Sequence, residues 1–238
     1  MLELLAASVI HPPLWIEMPA VIAGALAGGL FAQRRGMDII GILGLAVING
    51  IGGGMLRDIM LAREPLALQE PRYLAAVVVA AGVAAFFAHA VRRVRFAMVA
   101  IDTISLGLFT VIGAQSAILA DLPVPSAIFL GMITGIGGGL LRDLFSGELP
   151  PESFRRGPPY ASASLLAATL YVGLVQGLDT PKGVAQVAAV LLVCVIRAVA
   201  IWRGWQSPRA LDITPEFLRP PPEPGEDAGG GADATSRR

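Results

Sequence analysis

Gly50-Ile51-Gly52-Gly53-Gly54-Met55-Leu56-Arg57-Asp58 lies inside an apolar run, and it recurs inside another as Gly135-Ile136-Gly137-Gly138-Gly139-Leu140-Leu141-Arg142-Asp143. From position 50 to position 135 the offset is 85. At the same offset Ile16-Glu17 matches Ile101-Asp102, Gly28 matches Gly113 and Pro65 matches Pro150. With a shift of two residues Tyr73 matches Tyr160. Self-similarity at a fixed spacing marks a duplicated structural unit.

The surroundings of the motif set the fold class. Charged residues make up 15% of the chain and hydrophobic ones 55%, with a mean hydropathy of +0.68; soluble domains carry about 25% charged residues. Crossing a hydrocarbon core takes roughly 20 apolar residues per helix. Seven stretches approach that length: Trp15–Gln33, Asp38–Leu61, Tyr73–Val91, Met98–Leu119, Val124–Ser146, Tyr160–Leu178 and Gly183–Trp202. Several hold charge-free runs beyond what a soluble helical bundle contains. The expected fold is therefore an all-α polytopic membrane protein. Its parts are a short external N-terminus (1–14), a three-helix repeat (15–95), a second, inverted repeat (96–180), a seventh helix (181–205) and a disordered cytoplasmic tail (206–238). The N-terminal apolar stretch, Leu4 to Ile10, follows Glu3 and runs into His11-Pro12-Pro13, so it is a poor signal peptide.

Positive charge orients the helices. Arg34, Arg35, Arg92, Arg93, Arg95, Arg155, Arg156, Arg203 and Arg209 follow the first, third, fifth and seventh stretches; the opposite side has only Arg63, Arg72 and Lys182. The positive-inside rule then puts the N-terminus outside and the C-terminus in the cytoplasm. Each unit has an odd number of helices, so the second copy is inverted, a plan that recurs in transport proteins.

Three consecutive glycines weaken a helix by roughly 1 kcal/mol each relative to Ala. They allow either close packing of the second helix on the fifth, or a kink that exposes backbone dipoles to a pathway. Two inverted copies, each followed by Arg-Asp, favour the pathway. Intramembrane charges face partners or watery cavities. Glu17 is expected near Arg57, and Asp102 near Arg142, one cluster at each mouth; the alternative is that these charges snorkel to the headgroups. Neighbours on a helix diverge, so Arg57 and Asp58 need not pair, nor Arg142 and Asp143. Asn49 and Thr134 hold equivalent positions near the midplane, where each offers an oxygen to a cation or an interhelical hydrogen bond. Thr103, Ser105, Thr110, Gln115 and Ser116 give the fourth helix a polar, wet side. His89 reads as structural at a membrane edge, and Arg197 as snorkelling from the end of the seventh helix.

Other chemistries lack their residues. One cysteine, Cys194, rules out an internal disulfide, and two distant histidines offer no metal cluster. The glycine motif lacks the Lys-Ser/Thr of a phosphate loop. No catalytic constellation is present, and a net charge of zero gives no sign of a nucleic-acid partner. No cofactor is implied beyond the permeant ion and bound lipid.

The doubled G-G-G-x-L-R-D, the acidic pair Glu17 and Asp102, and the 3+3+1 helix plan resemble the prokaryotic branch of the TRIC (trimeric intracellular cation) channel family. Related bacterial sequences carry a repeat named for glycine transport. The resemblance covers about residues 15–202. It implies a homotrimer in a bacterial or archaeal plasma (inner) membrane, each subunit holding its own pore. The second and fifth helices would line that pore, kinked at Gly52–Gly54 and Gly137–Gly139, with K+ and Na+ as permeant ions. The lipid-binding Lys/Arg feature of animal members has no equivalent in this chain. A secondary transporter for a small solute such as glycine is the alternative that an inverted repeat serves equally well.

Overall fold

The computed structural model describes residues 13–86, 94–151, 154 and 158–205, with no side-chain detail at 94 and 95. All of them belong to one unit, Met1–Ser207. Residues 1–12, His89, Arg92, Arg93, Arg155, Arg156 and the tail from 206 lie outside the described residues.

Local signals start and stop each helix. α1 runs Leu14–Arg34 after Pro13. α2, Ile39–Met60, is capped by Asp38, whose carboxylate accepts from the Gly41 amide at 2.8 Å, satisfying one of the free amides of the first turn. A single helical turn, Leu66–Gln69, precedes α3, Pro71–Phe86. α4 is Val94–Leu119 and α5 Val124–Phe145. α6, Ala161–Val172, continues as a π-helical turn over Gly173–Gly177. α7, Lys182–Arg203, ends at Gly204 in the left-handed region (φ 65°), where the Trp205 amide donates back to the Ala200 carbonyl at 2.8 Å. Every regular element among the described residues is helical. α1, α2, α4, α5 and α7 are each long and apolar enough to cross a membrane, while α3 and α6 are shorter apolar helices. Large apolar side chains such as Ile40, Val79, Phe96 and Trp202 are exposed, a surface suited to lipid.

The 85-residue offset reappears in the packing. α1 packs on α2 and α3, as α4 packs on α5 and α6; α2 meets α5, α1 meets α4, and α7 lies on α4 and α6. A methyl group at Gly28 would strike the Leu45 carbonyl, and one at Gly113 the Leu130 carbonyl, which is the same contact 85 residues on. Helix ends repeat as well. Ala62 and Gly147 both adopt positive φ (52° and 75°) just past α2 and α5. Beyond them the Arg63 amide donates to the Asp58 carbonyl at 2.8 Å, and the Glu148 amide to that of Asp143 at 2.9 Å.

Candidate conduction site between α2 and α5

Two charge clusters flank the crossing of α2 and α5. In the first, the Arg57 guanidinium donates through Nε to Asp58 Oδ1 at 2.8 Å and through Nη1 to the Glu17 carboxylate. The Tyr73 hydroxyl donates to the other oxygen of Glu17. The Leu66 amide, at the start of the helical turn, donates to Asp58 Oδ2 at 3.0 Å. In the second cluster Arg142 donates through Nε to Asp143 Oδ1 at 2.9 Å and through Nη1 to Asp102 Oδ1 at 3.1 Å. Arg197 enters from α7, its Nη1 3.7 Å from Asp102 Oδ2 and its guanidinium 4.5 Å over the Tyr160 ring. On its other side Arg142 lies 4.6 Å over the Phe31 ring.

None of these charges reaches solvent: Glu17, Arg57, Asp58, Asp102, Arg142, Asp143 and Arg197 are each 5% exposed or less. They do not snorkel. Buried ions of this kind persist only when paired and hydrogen-bonded. Two sequence expectations are corrected. Arg57 and Asp58 do pair, as do Arg142 and Asp143, because each Arg Nε reaches back to the carboxylate of the next residue. Arg197 is interior, since its position on α7 faces Asp102 and Tyr160 rather than the headgroups.

Between the clusters the glycines meet. α2 and α5 are helical without interruption through both triplets, and the glycines there let the two helices approach closely. A β-carbon at Gly53 would overlap the Thr134 carbonyl oxygen, and one at Gly138 the Asn49 carbonyl oxygen. Gly52 and Gly137 each accept the tip of a leucine from the opposite helix, Leu141 and Leu56. The third glycines diverge: Gly139 lies against the Tyr160 hydroxyl, whereas Gly54 has only the Phe109 ring edge at 4.0 Å. Gly54, Ile51, Val21 and Phe109 form the apolar wall of a cavity whose polar wall is Glu17, Arg57, Asp58 and Tyr73. Its free space is about 10 Å³, enough for one water.

Asn49 and Thr134 use their side chains for packing. Asn49 Nδ2 donates to the Gly24 carbonyl at 2.6 Å, across helices, and Thr134 Oγ1 donates to Leu130 in its own helix at 2.6 Å. What these residues bring to the crossing is backbone carbonyl oxygen. The polar side of α4 is packed against neighbouring helices rather than exposed. Thr103, Ser105, Thr110, Gln115 and Ser116 are all buried. Their partners are the carbonyls of Val99, Ala20, Leu106 and Ile112, together with Ser164 on α6 and Gln186 on α7. Sequence reasoning assigned no site role to Tyr73, Tyr160, Phe31 or Arg197. The recurrence of the tyrosines and an arginine inside an apolar run were the available signals. Among the described residues no group of three or more His, Cys, Asp and Glu side chains is arranged to hold a metal ion.

A family model described as "Glycine transporter" matches the chain twice, at residues 14–89 and 99–176. The fold is similar to the crystal structure of the TRIC trimeric intracellular cation channel orthologue from Rhodobacter sphaeroides. That similarity has a TM-score of 0.73 and 34% identity, over 80% of this chain and 97% of the other. The chain belongs to the TRIC family of membrane proteins. Among other relatives in this family, a UPF0126 membrane protein of Deinococcus radiodurans is 34% identical over 78% of this chain and 86% of its own. The UPF0126 inner membrane protein YadS of Escherichia coli K12 is 28% identical over 79% of this chain and 90% of its own. Each of the two family-model matches contains the acid of its own cluster, Glu17 or Asp102, with one triple glycine and one Arg-Asp pair.

Proposed function

We propose that this TRIC-family protein is a passive channel for monovalent cations, K+ and Na+, with one pathway in each subunit between α2 and α5. The observation that carries it is the pairing of the two Arg-Asp clusters with a glycine crossing between them. At the crossing the carbonyls of Asn49 and Thr134 face glycines of the opposing helix. A modest separation or kink of α2 and α5 at Gly52–Gly54 and Gly137–Gly139 would turn those carbonyls toward a cation, the ligand type that replaces a hydration shell in cation filters. Buried carboxylates at each end then hold the Arg side chains aside and offset their charge. The similarity to a solved cation channel supports the same reading.

In this reading the chain crosses the membrane seven times as an inverted 3+3 repeat plus α7. The N-terminus is outside, the C-terminus cytoplasmic, and three copies assemble in the bilayer with lipid between them. Purified protein in a planar bilayer under a KCl gradient should give unitary currents reversing near the K+ equilibrium potential. Saturable solute uptake without unitary current would overturn the channel reading. That outcome would favour the alternative, a secondary transporter for a small solute such as glycine, which the closed crossing seen here would suit as an occluded state.

A further inference from the structure

Asn49 and Thr134 hold the same place in the two units, yet they settle their hydrogen bonds differently. Thr134 Oγ1 donates to the Leu130 carbonyl, one turn back in its own helix, at 2.6 Å. Gly113 makes room for that side chain, since a β-carbon there would strike Thr134 and the Leu130 carbonyl. Gly28 stands in the same relation to Asn49 and the Leu45 carbonyl. Asn49 nevertheless leaves Leu45 alone and donates from Nδ2 to the Gly24 carbonyl on α1 at 2.6 Å. A carbonyl only accepts, so the amide end facing Gly24 is the nitrogen, and the oxygen is the end left over. Asn49 is 4% exposed, and among the described residues nothing donates to its Oδ1. A buried acceptor in that state carries a desolvation cost that no partner offsets. The orphan also sits at the seam: a β-carbon at Gly138 would overlap the Asn49 carbonyl oxygen and lie 3.5 Å from its Cα. The side chain is short, so a gap opened at Gly138 puts water within reach of Oδ1.

We infer that Asn49 is a positioning residue of the gate: its Oδ1 is unpaired while α2 and α5 touch, gains a water when they part, and so weights the pathway toward opening. This rests on the cation-channel reading above. Thr134 already has its partner inside α5 and adds no such bias, so the push comes from the first unit. Satisfying one buried acceptor shifts an equilibrium of this kind roughly ten-fold, about 1.4 kcal/mol.

The test exchanges the two residues and reads open probability by single-channel recording in symmetric KCl, with a thermal melt beside it. Asn49→Thr copies the second unit, its hydroxyl donating to Leu45 as that of Thr134 donates to Leu130. It should raise the closed-to-open ratio roughly ten-fold, with unitary conductance kept and melting temperature held or raised. Thr134→Asn should lower that ratio, and it keeps the test open should Asn49→Thr not fold. The double exchange should return the ratio close to that of the wild type. A purely structural role would move the melting temperature and leave open probability alone. Unchanged open probability in whichever single variants fold, or a rise in Asn49→Thr, overturns the inference alone. So does a lower unitary conductance in Asn49→Thr at unchanged open probability, which would make the residue a permeation contact. Absence of unitary current from the wild type overturns the channel reading and the inference with it.

Discussion

Gly53 and Gly54 are neighbours in one motif, yet the same substitution should act on them in opposite directions. A β-carbon at Gly53 would lie under 3.0 Å from the Thr134 carbonyl oxygen and 3.4 Å from the Gly138 nitrogen. Both are backbone atoms of α5, so relief requires α2 and α5 to part by on the order of 1 Å, well outside the contact optimum. Alanine gains roughly 1 kcal/mol in helix propensity over glycine. Overpacking a fixed crossing costs about 1–3 kcal/mol, occasionally more. With backbone on both sides the upper part of that range applies, and Gly53→Ala should destabilise by about 2 kcal/mol net. At Gly54 the nearest neighbour is the Phe109 ring at 4.0 Å, an ordinary contact. Gly54→Ala keeps the propensity gain and should stabilise by up to about 1 kcal/mol. In a thermal melt followed by fluorescence-detected size exclusion, a chain of this size shifts by about 2–4 °C per kcal/mol. The expected separation between the two variants is about 10 °C. The Gly53→Ala, Gly138→Ala double variant should cost less than the sum, because one parting of the helices relieves both overlaps. Equal melting temperatures for Gly53→Ala and Gly54→Ala would refute the packing account. A stabilised Gly54→Ala with reduced unitary conductance would show that α2 must also bend there.

Arg57→Met should be among the most damaging single changes, because it leaves Glu17 and Asp58 buried without their guanidinium. The expected loss is about 3–5 kcal/mol, seen as a large fall in melting temperature or in yield of folded protein. Adding Glu17→Gln to it should restore part of the loss, and a double variant no better than Arg57→Met would sink the pairing account. Ala62→Gly addresses the left-handed residue after α2 (φ 52°), where the second unit already has Gly147. That conformation costs an alanine about 1 kcal/mol, and glycine's chain entropy cancels part of the relief. A rise of about 1–2 °C should follow; a fall would show that Ala62 makes contacts outweighing its strain.

The helices were legible because their signal is long: charge-free runs near 20 residues survive any uncertainty about ends. The duplication was legible for the same reason, since eight of nine motif residues recur in register. The clusters were legible only in outline. Glu17 and Arg57 are 40 positions apart, and Asp102 and Arg142 also 40, so one pairing hypothesis sufficed for both mouths. What the pattern hid was direction. Whether Arg197 points to headgroups or to Asp102 depends on the rotation of α7, which its apolar residues alone do not define. Likewise the polar side of α4 could be turned to water or to partners; Ser164 and Gln186 on later helices decide it, and nothing local to α4 announces them.

The triple glycines show why packing and passage are poor opposites. A helix pair held by glycine contacts has little side-chain interlock to lose when it separates; at the first glycines of the triplets the tips of Leu56 and Leu141 cross the seam. What separation uncovers is backbone, and the carbonyls uncovered are those of Asn49 and Thr134. A seam of leucines would be as tight but would open onto hydrocarbon. The same small residues that let α2 and α5 touch are thus the ones that would leave oxygen, rather than carbon, facing the gap in the proposed pathway. The buried Arg-Asp pairs then have a reason to lie beyond the seam at both ends. Each anchors its helix end to α1 or α4 through Glu17 or Asp102, so a separation of the centres need not pull the ends apart.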